Sequence, residues 1–454
     1  MKEIPASYGL LGEHLAHSWS PEIHALLGAD SYALIEASFD EVDDVLTSQN
    51  WKGLNVTIPY KQKALLSANV ASEAARAIGA ANTLVRYGNT VFAENTDAIG
   101  FHWLLERFAR FTTNLSAHDF LNKKTVLVLG ATGGAGRAVS YLCTKLGAHV
   151  VGVSRSASLF YRHSLCNDWI TYQDLTENPV PDCSSRVFLI VNCTPSGMYP
   201  DCPQSPLPHG AFTAFPKLSG VIDLIYNPLR SGLILEAQRC GIATENGLGM
   251  LVAQAYAAHT LFQAPNAPAR ATRNAIEFQQ MDSKKIEAIE STLAQKMQNI
   301  VLIGMPGVGK TSTAVELSKL CGRPCVDIDV AIHDETGKTS SEILCAYGKT
   351  YFRDIESRIT RRVGSKTGSI IACGGGVVVR DVNYDYLKQN GHLVFLDRPI
   401  EGLSVKDRPL SALYNLKEIA QRRMPLYRAW KDTYFTCTGS PLTDARALKS
   451  LFLL

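Results

Sequence analysis

Val301-Leu-Ile-Gly-Met-Pro-Gly-Val-Gly-Lys-Thr-Ser312 is a short apolar run that leads into a glycine-rich turn and then into a helix-compatible stretch. A strand, a turn of this spacing and a helix N-terminus together form a phosphate-binding loop, whose backbone N–H groups surround phosphate oxygens. Within the loop, Lys310 supplies a positive charge and the hydroxyl of Thr311 can ligate Mg²⁺. The stretch therefore predicts a nucleotide site, preceded by about three hundred residues that need a role of their own.

Length and composition limit the alternatives. The chain has 454 residues, 46 % of them hydrophobic, and this length favours roughly three domains. Its 45 basic and 42 acidic residues leave a net charge of +3, so the charge balance predicts neither a nucleic acid nor an anionic membrane as partner. We find no apolar run long enough for a signal peptide or a membrane span and predict a cytoplasmic protein. The eleven cysteines lack metal-binding spacing, which favours reduced, packed thiols.

Short apolar runs alternate with longer helical patterns along most of the sequence. This alternation is typical of α/β proteins with parallel sheets and crossover helices. The runs are Val126–Leu129, Val150–Val153, Val187–Val191, Val221–Ile225, Val301–Ile303, Ile370–Ala372 and Leu393–Leu396.

Two polar stretches predict domain boundaries. The first is Thr112–Lys124. The second lies between Gln280 and Asn299, where apolar residues at helical spacing predict a helix that either bridges two folded bodies or packs as a terminal helix. We therefore predict a substrate-binding domain over 1–112 with return helices at 246–280, a dinucleotide-binding domain over 120–245, a linker over 281–298 and a phosphate-loop domain over 299–454.

A second glycine-rich turn follows the run Val126–Leu129. Gly130, Gly133 and Gly136 lie between a predicted strand and a predicted helix, the arrangement that points backbone amides at a dinucleotide pyrophosphate in Rossmann domains. The next strand ends in Ser154 and Arg155. Sites specific for NAD place an acidic residue there, whereas Arg155 favours the 2′-phosphate of NADP. A solvated surface arginine is the alternative.

The N-terminal third carries four clusters of hydroxyl, amide and charged residues beside Gly or Pro: Gly12–Pro21, Asn55–Lys61, Gly79–Thr83 and Asn95–Gly100. A polyhydroxylated substrate needs such groups, because each hydroxyl that enters a pocket must regain a hydrogen bond. Any one cluster alone is also compatible with helix caps and turns, and for Ser18 or Asn82 taken alone that interpretation is favoured.

In this order, and ahead of a dinucleotide turn, the clusters resemble those of shikimate dehydrogenase. The resemblance continues through Asn192–Met198, Asp223–Leu229 and Asn246–Ala255 and covers about residues 4–280. It implies a catalytic pair, Lys61 and Asp97, in which the lysine delivers a proton to the oxygen of a ketone that receives a hydride.

The same resemblance implies the binding residues. The substrate pocket would consist of Ser18, Ser20, Thr57, Lys61, Asn82, Asp97, Tyr226 and Gln254. The cofactor NADP(H) would contact Gly130, Gly133, Gly134, Ala135, Gly136, Ser154, Arg155, Thr194, Met198, Gly247 and Met250. Met250 as a plain buried helix residue is an equal alternative. The three-residue spacing of the glycines departs from the family and leaves open which amides touch the pyrophosphate.

After the phosphate loop, the sequence contains carboxylates, arginines and glycines of the kind that a kinase of a small acid needs. They lie in Val326–Asp329, Tyr351–Glu356, Gly374–Gly376, Asp407–Leu410 and Arg423–Tyr427. Carboxylates serve Mg²⁺ and the attacking hydroxyl, and arginine binds a substrate carboxylate in bidentate fashion. We expect Asp327 and Asp329 to alternate along a strand end, so that one faces the metal and the other the substrate.

This set resembles shikimate kinase over about residues 299–436, with a P-loop fold of the nucleoside monophosphate kinase type. The resemblance implies catalytic roles for Lys310 and Asp329 and a Mg²⁺ site at Thr311 and Asp327. ATP would be held by Gly304, Gly307, Val308, Gly309, Lys310, Thr311, Ser312 and Arg408. Shikimate would be held by Asp329, Arg353, Gly374, Gly375, Gly376 and Arg423.

Three departures from the kinase family bear on the lid. The segments before and after Arg408 are short, and Lys349 stands where the family has an acidic residue. Arg408 as a surface charge is the alternative to its lid role. We predict a bifunctional enzyme that reduces 3-dehydroshikimate with NADPH and phosphorylates shikimate with Mg·ATP. The alternatives are a catalytically weak regulatory C-terminal module and a dehydrogenase acting on quinate with NAD. A homodimer is left open.

Overall fold

The structure is a computed structural model, and it describes residues 6–15, 18–155, 165–175, 184–264, 281–403 and 416–453. The chain divides into two compact units by contacts. Unit 1 contains residues 1–195, 206–226 and 236–292, and unit 2 contains residues 196–205, 227–235 and 293–454. The predicted α/β class is confirmed, because each unit is built on sheets with parallel strands and flanking helices.

The first sheet of unit 1 is mixed. Its strands are β1 (Tyr8–Gly12), β2 (Ala33–Glu36), β3 (Gly53–Val56), β4 (Val70–Ala71), β5 (Thr83–Tyr87) and β6 (Thr90–Glu94). They lie in the order β2-β1-β3-β5-β6-β4, with β5 antiparallel to both of its neighbours. The helices are α1 (Ser20–Leu27), α2 (Val42–Thr47), α3 (Lys61–Ser67), α4 (Glu73–Ile78) and α5 (Thr96–Thr113).

The second sheet of unit 1 is parallel. Its strands are β7 (Thr125–Leu129), β8 (His149–Ser154), β9 (Asp168–Thr171), β10 (Val187–Asn192), β11 (Gly220–Asp223) and β12 (Ala243–Asn246), in the order β12-β11-β10-β7-β8-β9. This order reverses between β7 and β10, which is the switch point of a Rossmann sheet and the place where such sheets bind ligands. The helices are α6 (Ala117–Leu121), α7 (Gly134–Lys145), α8 (Gly232–Arg239) and α9 (Leu248–Gln263), and α9 packs on α5.

Unit 2 contains the third sheet. Its strands are β13 (Asn299–Ile303), β14 (Cys325–Asp327), β15 (Ile370–Ala372), β16 (Gly391–Asp397) and β17 (Thr433–Thr436), all parallel in the order β14-β15-β13-β16-β17. The central β13 is wholly buried because both faces are covered by helices. These helices are α11 (Lys310–Cys321), α12 (Ile328–Thr336), α13 (Ser340–Gly364), α14 (Val382–Lys388), α15 (Leu416–Trp430) and α16 (Pro441–Phe452).

The stretch predicted to be helical before β13 is helix α10 (Ser283–Met297). Its apolar positions Ile286, Ile289, Leu293 and Met297 are all at most 5 % exposed, as the helical spacing predicts. The boundary between the two units falls inside this helix, after Thr292.

One local expectation is wrong. Asp327 ends β14, but Asp329 lies in the first turn of α12 rather than along the strand. The side chain of Asp327 caps that helix, because its Oδ1 accepts hydrogen bonds from the backbone N–H groups of Asp329 (2.8 Å) and Val330 (3.3 Å).

Two short segments from the middle of the sequence, first 196–205 and second 227–235, belong to unit 2. Polar contacts hold both of them there. In the second segment, Arg230 Nη1 donates to the carbonyl oxygen of Lys388 (3.0 Å), and the backbone N–H of Leu229 donates to Asn390 Oδ1 (2.9 Å). In the first, the carbonyl oxygen of Cys202 accepts from Arg361 Nε (3.3 Å).

Candidate active sites

Unit 1 encloses a cavity of about 220 Å³ beside the carboxyl ends of β1, β3 and β11. All eight predicted dehydrogenase substrate residues line it: Ser18, Ser20, Thr57, Lys61, Asn82, Asp97, Tyr226 and Gln254. Sequence reasoning did not assign five further lining residues, Leu10, Asn55, Val56, Leu224 and Leu251. Three residues predicted for the cofactor also line the cavity: Ala135, Gly247 and Met250.

Lys61 and Asp97 form an ion pair in this cavity. Lys61 begins α3 and Asp97 lies in the first turn of α5. Lys61 Nζ is 2.7 Å from Asp97 Oδ2, and the two side chains are only 16 % and 10 % exposed. The other carboxylate oxygen, Oδ1, accepts from Asn82 Nδ2 (2.9 Å). Because both oxygens of Asp97 are engaged, its carboxylate holds the lysine in a fixed direction.

The amide of Asn82 is itself held on both sides. Its Oδ1 accepts from the backbone N–H of Thr96 (2.7 Å), and its Nδ2 lies 3.4 Å from Gln254 Oε1. Gln254 is fixed in turn by donating to the carbonyl oxygen of Leu251 (2.9 Å). These bonds leave little rotational freedom to the polar lining, which is the preorganisation that recognition of several hydroxyl groups requires.

Tyr226 adds a phenol to the cavity. Burial raises the pKa of Tyr226 above its ordinary value, so the hydroxyl stays protonated and can donate a hydrogen bond. Ser18 and Ser20 lie two positions apart at the start of α1, where Ser18 Oγ donates to Ser20 Oγ (3.2 Å).

The glycine-rich turn at residue 130 lies next to this cavity. A Cβ atom added at Gly136 would be 2.2 Å from the carbonyl oxygen of Gly130, so the helix can start this close to the strand only with glycine. A Cβ atom added at Gly134 would lie 3.3 Å from Cδ of Lys61. The turn that would hold a dinucleotide therefore adjoins Lys61, the lysine of the predicted catalytic pair.

Three further predicted cofactor residues lie at this edge of the sheet. Thr194 is packed against Gly130, because its Cγ2 would be 2.8 Å from a Cβ atom added there. Ser154 is 6 % exposed at the end of β8, and Arg155 directly after it is exposed. Met198 belongs to unit 2 and is 46 % exposed, so its contact with the cofactor stays a prediction.

Internal hydrogen bonds hold the side chains of the phosphate loop of unit 2. Lys310 is 6 % exposed, and its Nζ donates to the carbonyl oxygens of Gly304 (2.9 Å) and Met305 (3.0 Å). Thr311 Oγ1 donates to Asp327 Oδ2 (2.5 Å). A hydroxyl beside a carboxylate at the start of a phosphate-loop helix is a fitting donor set for Mg²⁺, which takes few protein ligands and completes its shell with water and phosphate oxygens.

Thr311 and Asp327 also line a second cavity, of about 1030 Å³. All six predicted kinase substrate residues line it as well: Asp329, Arg353, Gly374, Gly375, Gly376 and Arg423. Two groups reach the carbonyl oxygen of Gly375: Arg423 Nη1 donates to it (2.9 Å), and so does the hydroxyl of Tyr427. A Cβ atom added at Gly376 would be 2.0 Å from Nη2 of Arg353, so a side chain there would displace the guanidinium.

Sequence reasoning did not assign several polar residues of this cavity, among them Glu356 and Ser340. Glu356, 1 % exposed, forms an ion pair with Arg353. Burial raises the pKa of Glu356, although the Arg353 guanidinium acts in the opposite direction. The spacing of three residues on a helix could have indicated this pair. Ser340 Oγ donates to Asp329 Oδ1 (2.9 Å), and no pattern in the sequence announces that contact.

Three more residues of unit 2 were predicted to bind ATP: Val308, Ser312 and Arg408. Val308 is 4 % exposed, so only its backbone could reach a phosphate, and Ser312 is exposed on α11. Arg408 and the rest of the predicted lid lie outside the described residues. Among the residues that the structure describes, no three His, Cys, Asp or Glu side chains converge on a metal site, and no helix is long and apolar enough to cross a membrane.

Comparisons with known proteins match the N-terminal and the C-terminal part of the chain to different families. A family model described as shikimate dehydrogenase substrate binding domain matches residues 10–84, and one described as shikimate kinase matches residues 306–450. A "Shikimate dehydrogenase (NADP(+))" of Clostridium perfringens is 32 % identical over 265 residues, which are 56 % of this chain and 91 % of that relative. A "Shikimate kinase" of Clostridium botulinum is 39 % identical over 135 residues, which are 30 % of this chain and 81 % of that relative.

A solved structure extends the likeness to three dimensions. The crystal structure of a chorismate mutase/shikimate 5-dehydrogenase fusion protein from Clostridium acetobutylicum is 32 % identical, with a TM-score of 0.51. The alignment covers 63 % of this chain and 96 % of that one.

Proposed function

Because the chain belongs to the shikimate dehydrogenase family in its N-terminal part and to the shikimate kinase family in its C-terminal part, we propose that it catalyses two consecutive reactions. Unit 1 reduces 3-dehydroshikimate to shikimate with NADPH. Unit 2 transfers the γ-phosphoryl group of Mg·ATP to shikimate and forms shikimate 3-phosphate. The observation that carries the proposal is that each predicted set of substrate residues lines one cavity.

The cavity of unit 1 fits the reduction of a ketone. The cofactor, when bound at the turn Gly130–Gly136, supplies a hydride to the carbonyl carbon. Lys61 donates a proton to the carbonyl oxygen, and the ion pair with Asp97 (2.7 Å) keeps its ammonium pointed into the cavity. Preorganisation by fixed charges of this kind stabilises the developing alkoxide.

The end of β8 supports NADP rather than NAD. Arg155 is exposed directly after the strand, where the ribose of the adenosine half lies in a Rossmann sheet. A guanidinium can bind a 2′-phosphate there, and it offers no acceptor for a free 2′-hydroxyl.

The cavity of unit 2 fits phosphoryl transfer to a small carboxylic acid. Arg353 and Arg423 supply cationic anchors for the substrate carboxylate. Asp329 accepts the proton of the attacking hydroxyl. Lys310 neutralises charge on the transferred group, and Thr311 and Asp327 would hold the Mg²⁺ ion.

The decisive experiment supplies the purified chain with 3-dehydroshikimate, NADPH, Mg²⁺ and ATP. We expect NADPH oxidation and the appearance of shikimate 3-phosphate, measured by mass spectrometry. Two variants are matched controls for each other. Lys61→Met should abolish NADPH oxidation but still phosphorylate added shikimate, and Lys310→Met should do the reverse.

Two results would contradict the proposal in different ways. If added shikimate is not phosphorylated by the parent chain, unit 2 is not a working kinase and the regulatory alternative stands. If quinate is oxidised with NAD as fast as shikimate is oxidised with NADP, the assignment of cofactor and substrate to unit 1 is wrong.

A further inference from the structure

Helix α10 carries a glutamate that reaches into the dehydrogenase unit. Glu290 forms a two-point ion pair with Arg107 of α5, in which Nη2 is 3.0 Å from Oε1 and Nη1 contacts Oε2. Both residues belong to unit 1. Their side chains are 25 % and 15 % exposed, so solvent screens this pair less than an ordinary surface pair.

Arg107 also contacts the strand before α9. Its Nη2 is 3.3 Å from Oε1 of Glu245, which accepts from the backbone N–H of Asn246 (3.2 Å). Asn246 Oδ1 in turn accepts from the backbone N–H of Leu248 (2.9 Å). One guanidinium therefore connects α10 to the residues that start α9.

The ion pair lies directly on the backbone of that start. A Cβ atom added at Gly249 would be 2.7 Å from Arg107 Nη2 and 3.0 Å from Glu290 Oε1. Gly247, two positions before Gly249, and Met250, directly after it, line the cavity of unit 1. The Arg107–Glu290 ion pair therefore packs against the backbone of the segment that forms this part of the cavity wall.

Additional contacts hold α10 in this place. Trp103 is 2 % exposed, and its Nε1 donates to Ser283 Oγ (3.0 Å). The Arg107 guanidinium lies over the Trp103 ring, 4.6 Å from its centroid. Lys285 Nζ donates to the carbonyl oxygen of Leu27 (3.2 Å). The first half of α10 is therefore fixed to α5 and α1 by polar contacts as well as by its apolar face.

We propose that Arg107 and Glu290 are positioning residues of the dehydrogenase, which hold the segment Asn246–Met250 in the conformation that binds the nicotinamide half of NADP(H). This inference rests on the proposed function of unit 1. It makes the helix in front of the phosphate-loop strand a functional part of the preceding enzyme. The 3-dehydroshikimate side is less dependent on the pair, because Asn82 Oδ1 is held by the backbone N–H of Thr96, outside this segment.

The test is Glu290→Gln in the full chain, with Glu287→Gln as a matched control, because Glu287 is exposed on the same helix. We expect the Kd for NADPH, measured by its fluorescence, to rise about threefold to tenfold in the first variant only. The KM for NADPH should rise in parallel, and the KM for 3-dehydroshikimate should stay within about twofold. Glu290→Asp, which keeps the charge, should recover part of the loss.

The possible results distinguish a failure of this inference from a failure of the proposed function of unit 1. An unchanged Kd for NADPH in Glu290→Gln overturns the positioning role. So does a uniform loss, in which both KM values, the kinase rate and the melting temperature change together, because that pattern indicates a structural role only. A parent chain that binds NADPH but reduces no 3-dehydroshikimate would refute the proposed function, while the comparison of Kd values would still decide the inference.

Discussion

The hydroxyl of Ser340 donates a hydrogen bond to Asp329 Oδ1, with a distance of 2.9 Å between the oxygens. Both residues line the large cavity of unit 2, and they lie on different helices, α13 and α12. The contact orients the carboxylate that we expect to accept the proton of the substrate hydroxyl.

Replacing Ser340 should therefore slow phosphoryl transfer. For Ser340→Ala we expect kcat/KM for shikimate to fall about tenfold, because a hydrogen bond to a charged group contributes on the order of 1.5–3 kcal/mol. Ser340→Thr keeps the hydroxyl and should retain most of the activity. A coupled assay of ADP release measures both variants, and equal rates in Ser340→Ala and the parent would show that Asp329 needs no such support.

Tyr427 should support the glycine triplet of the same cavity. Its hydroxyl donates to the carbonyl oxygen of Gly375, and its ring stacks on Phe395 with 5.3 Å between centroids. Tyr427→Phe keeps the stacking and removes one of the two donors on that carbonyl. We expect a loss of about 1 kcal/mol, seen as a roughly fivefold rise in the KM for shikimate. Dehydrogenase activity of the same sample is the control, and a KM unchanged within error would assign the positioning to Arg423 alone.

Arg155 should decide between the two nicotinamide cofactors. In Arg155→Ser, the KM for NADPH should rise by about tenfold or more, because a charge-assisted contact to the 2′-phosphate is lost. The KM for NADH should change little. Initial rates at varied cofactor concentration measure this, and a parallel loss with both cofactors would mean that the guanidinium acts on the fold rather than on the phosphate.

His24 should make unit 1 sensitive to acid. Its ring is 1 % exposed and stacks on Tyr32 with 3.9 Å between centroids. Burial, aided by His259, lowers the pKa of His24 from 6.5 to about 3. The unfolded chain therefore takes up a proton between these values while the folded chain does not, so stability falls as the pH drops through this window. From about pH 7 to about pH 5 the loss from this group is about 2 kcal/mol.

The variant His24→Phe should lack this component. Urea denaturation followed by loss of NADPH binding gives the free energy of unfolding at each pH. We expect a smaller decrease toward low pH in His24→Phe than in the parent, whatever the absolute stability of the variant. His118→Phe, at an exposed site, is the control, and equal slopes in the parent and His24→Phe would refute the assignment to His24.

Much of both sites could be predicted from the sequence, because the functional residues lie in short segments beside turns. Thr57 and Lys61 share one such segment, and the phosphate loop is continuous. The turn between a strand and a helix fixes where these side chains point, so residues that are close in the sequence also lie close together in the site. The helix over 283–297 was predictable for a similar reason, since its apolar residues recur at helical spacing.

The remaining features depend on distances that local patterns do not encode. Arg107 and Glu290 are 183 positions apart, and each lies in a stretch whose charges are equally compatible with a solvated helix face. The alternation of the two aspartates predicted that Asp329 lies on a strand. It lies in a helix instead, because Asp327 caps that helix and starts it directly after the strand. The contact from Ser340 requires two helices to be placed before it can be recognised.

The course of the chain between the two units has a consequence for anyone who wishes to produce the two enzymes separately. Unit 2 includes residues 196–205 and 227–235, and α10 begins in one unit and ends in the other. No single position in the gene therefore separates the two units without loss to at least one. A stop codon before residue 281 would remove Glu290 from the dehydrogenase, and a kinase fragment starting at residue 293 would lack Arg230 and its neighbours.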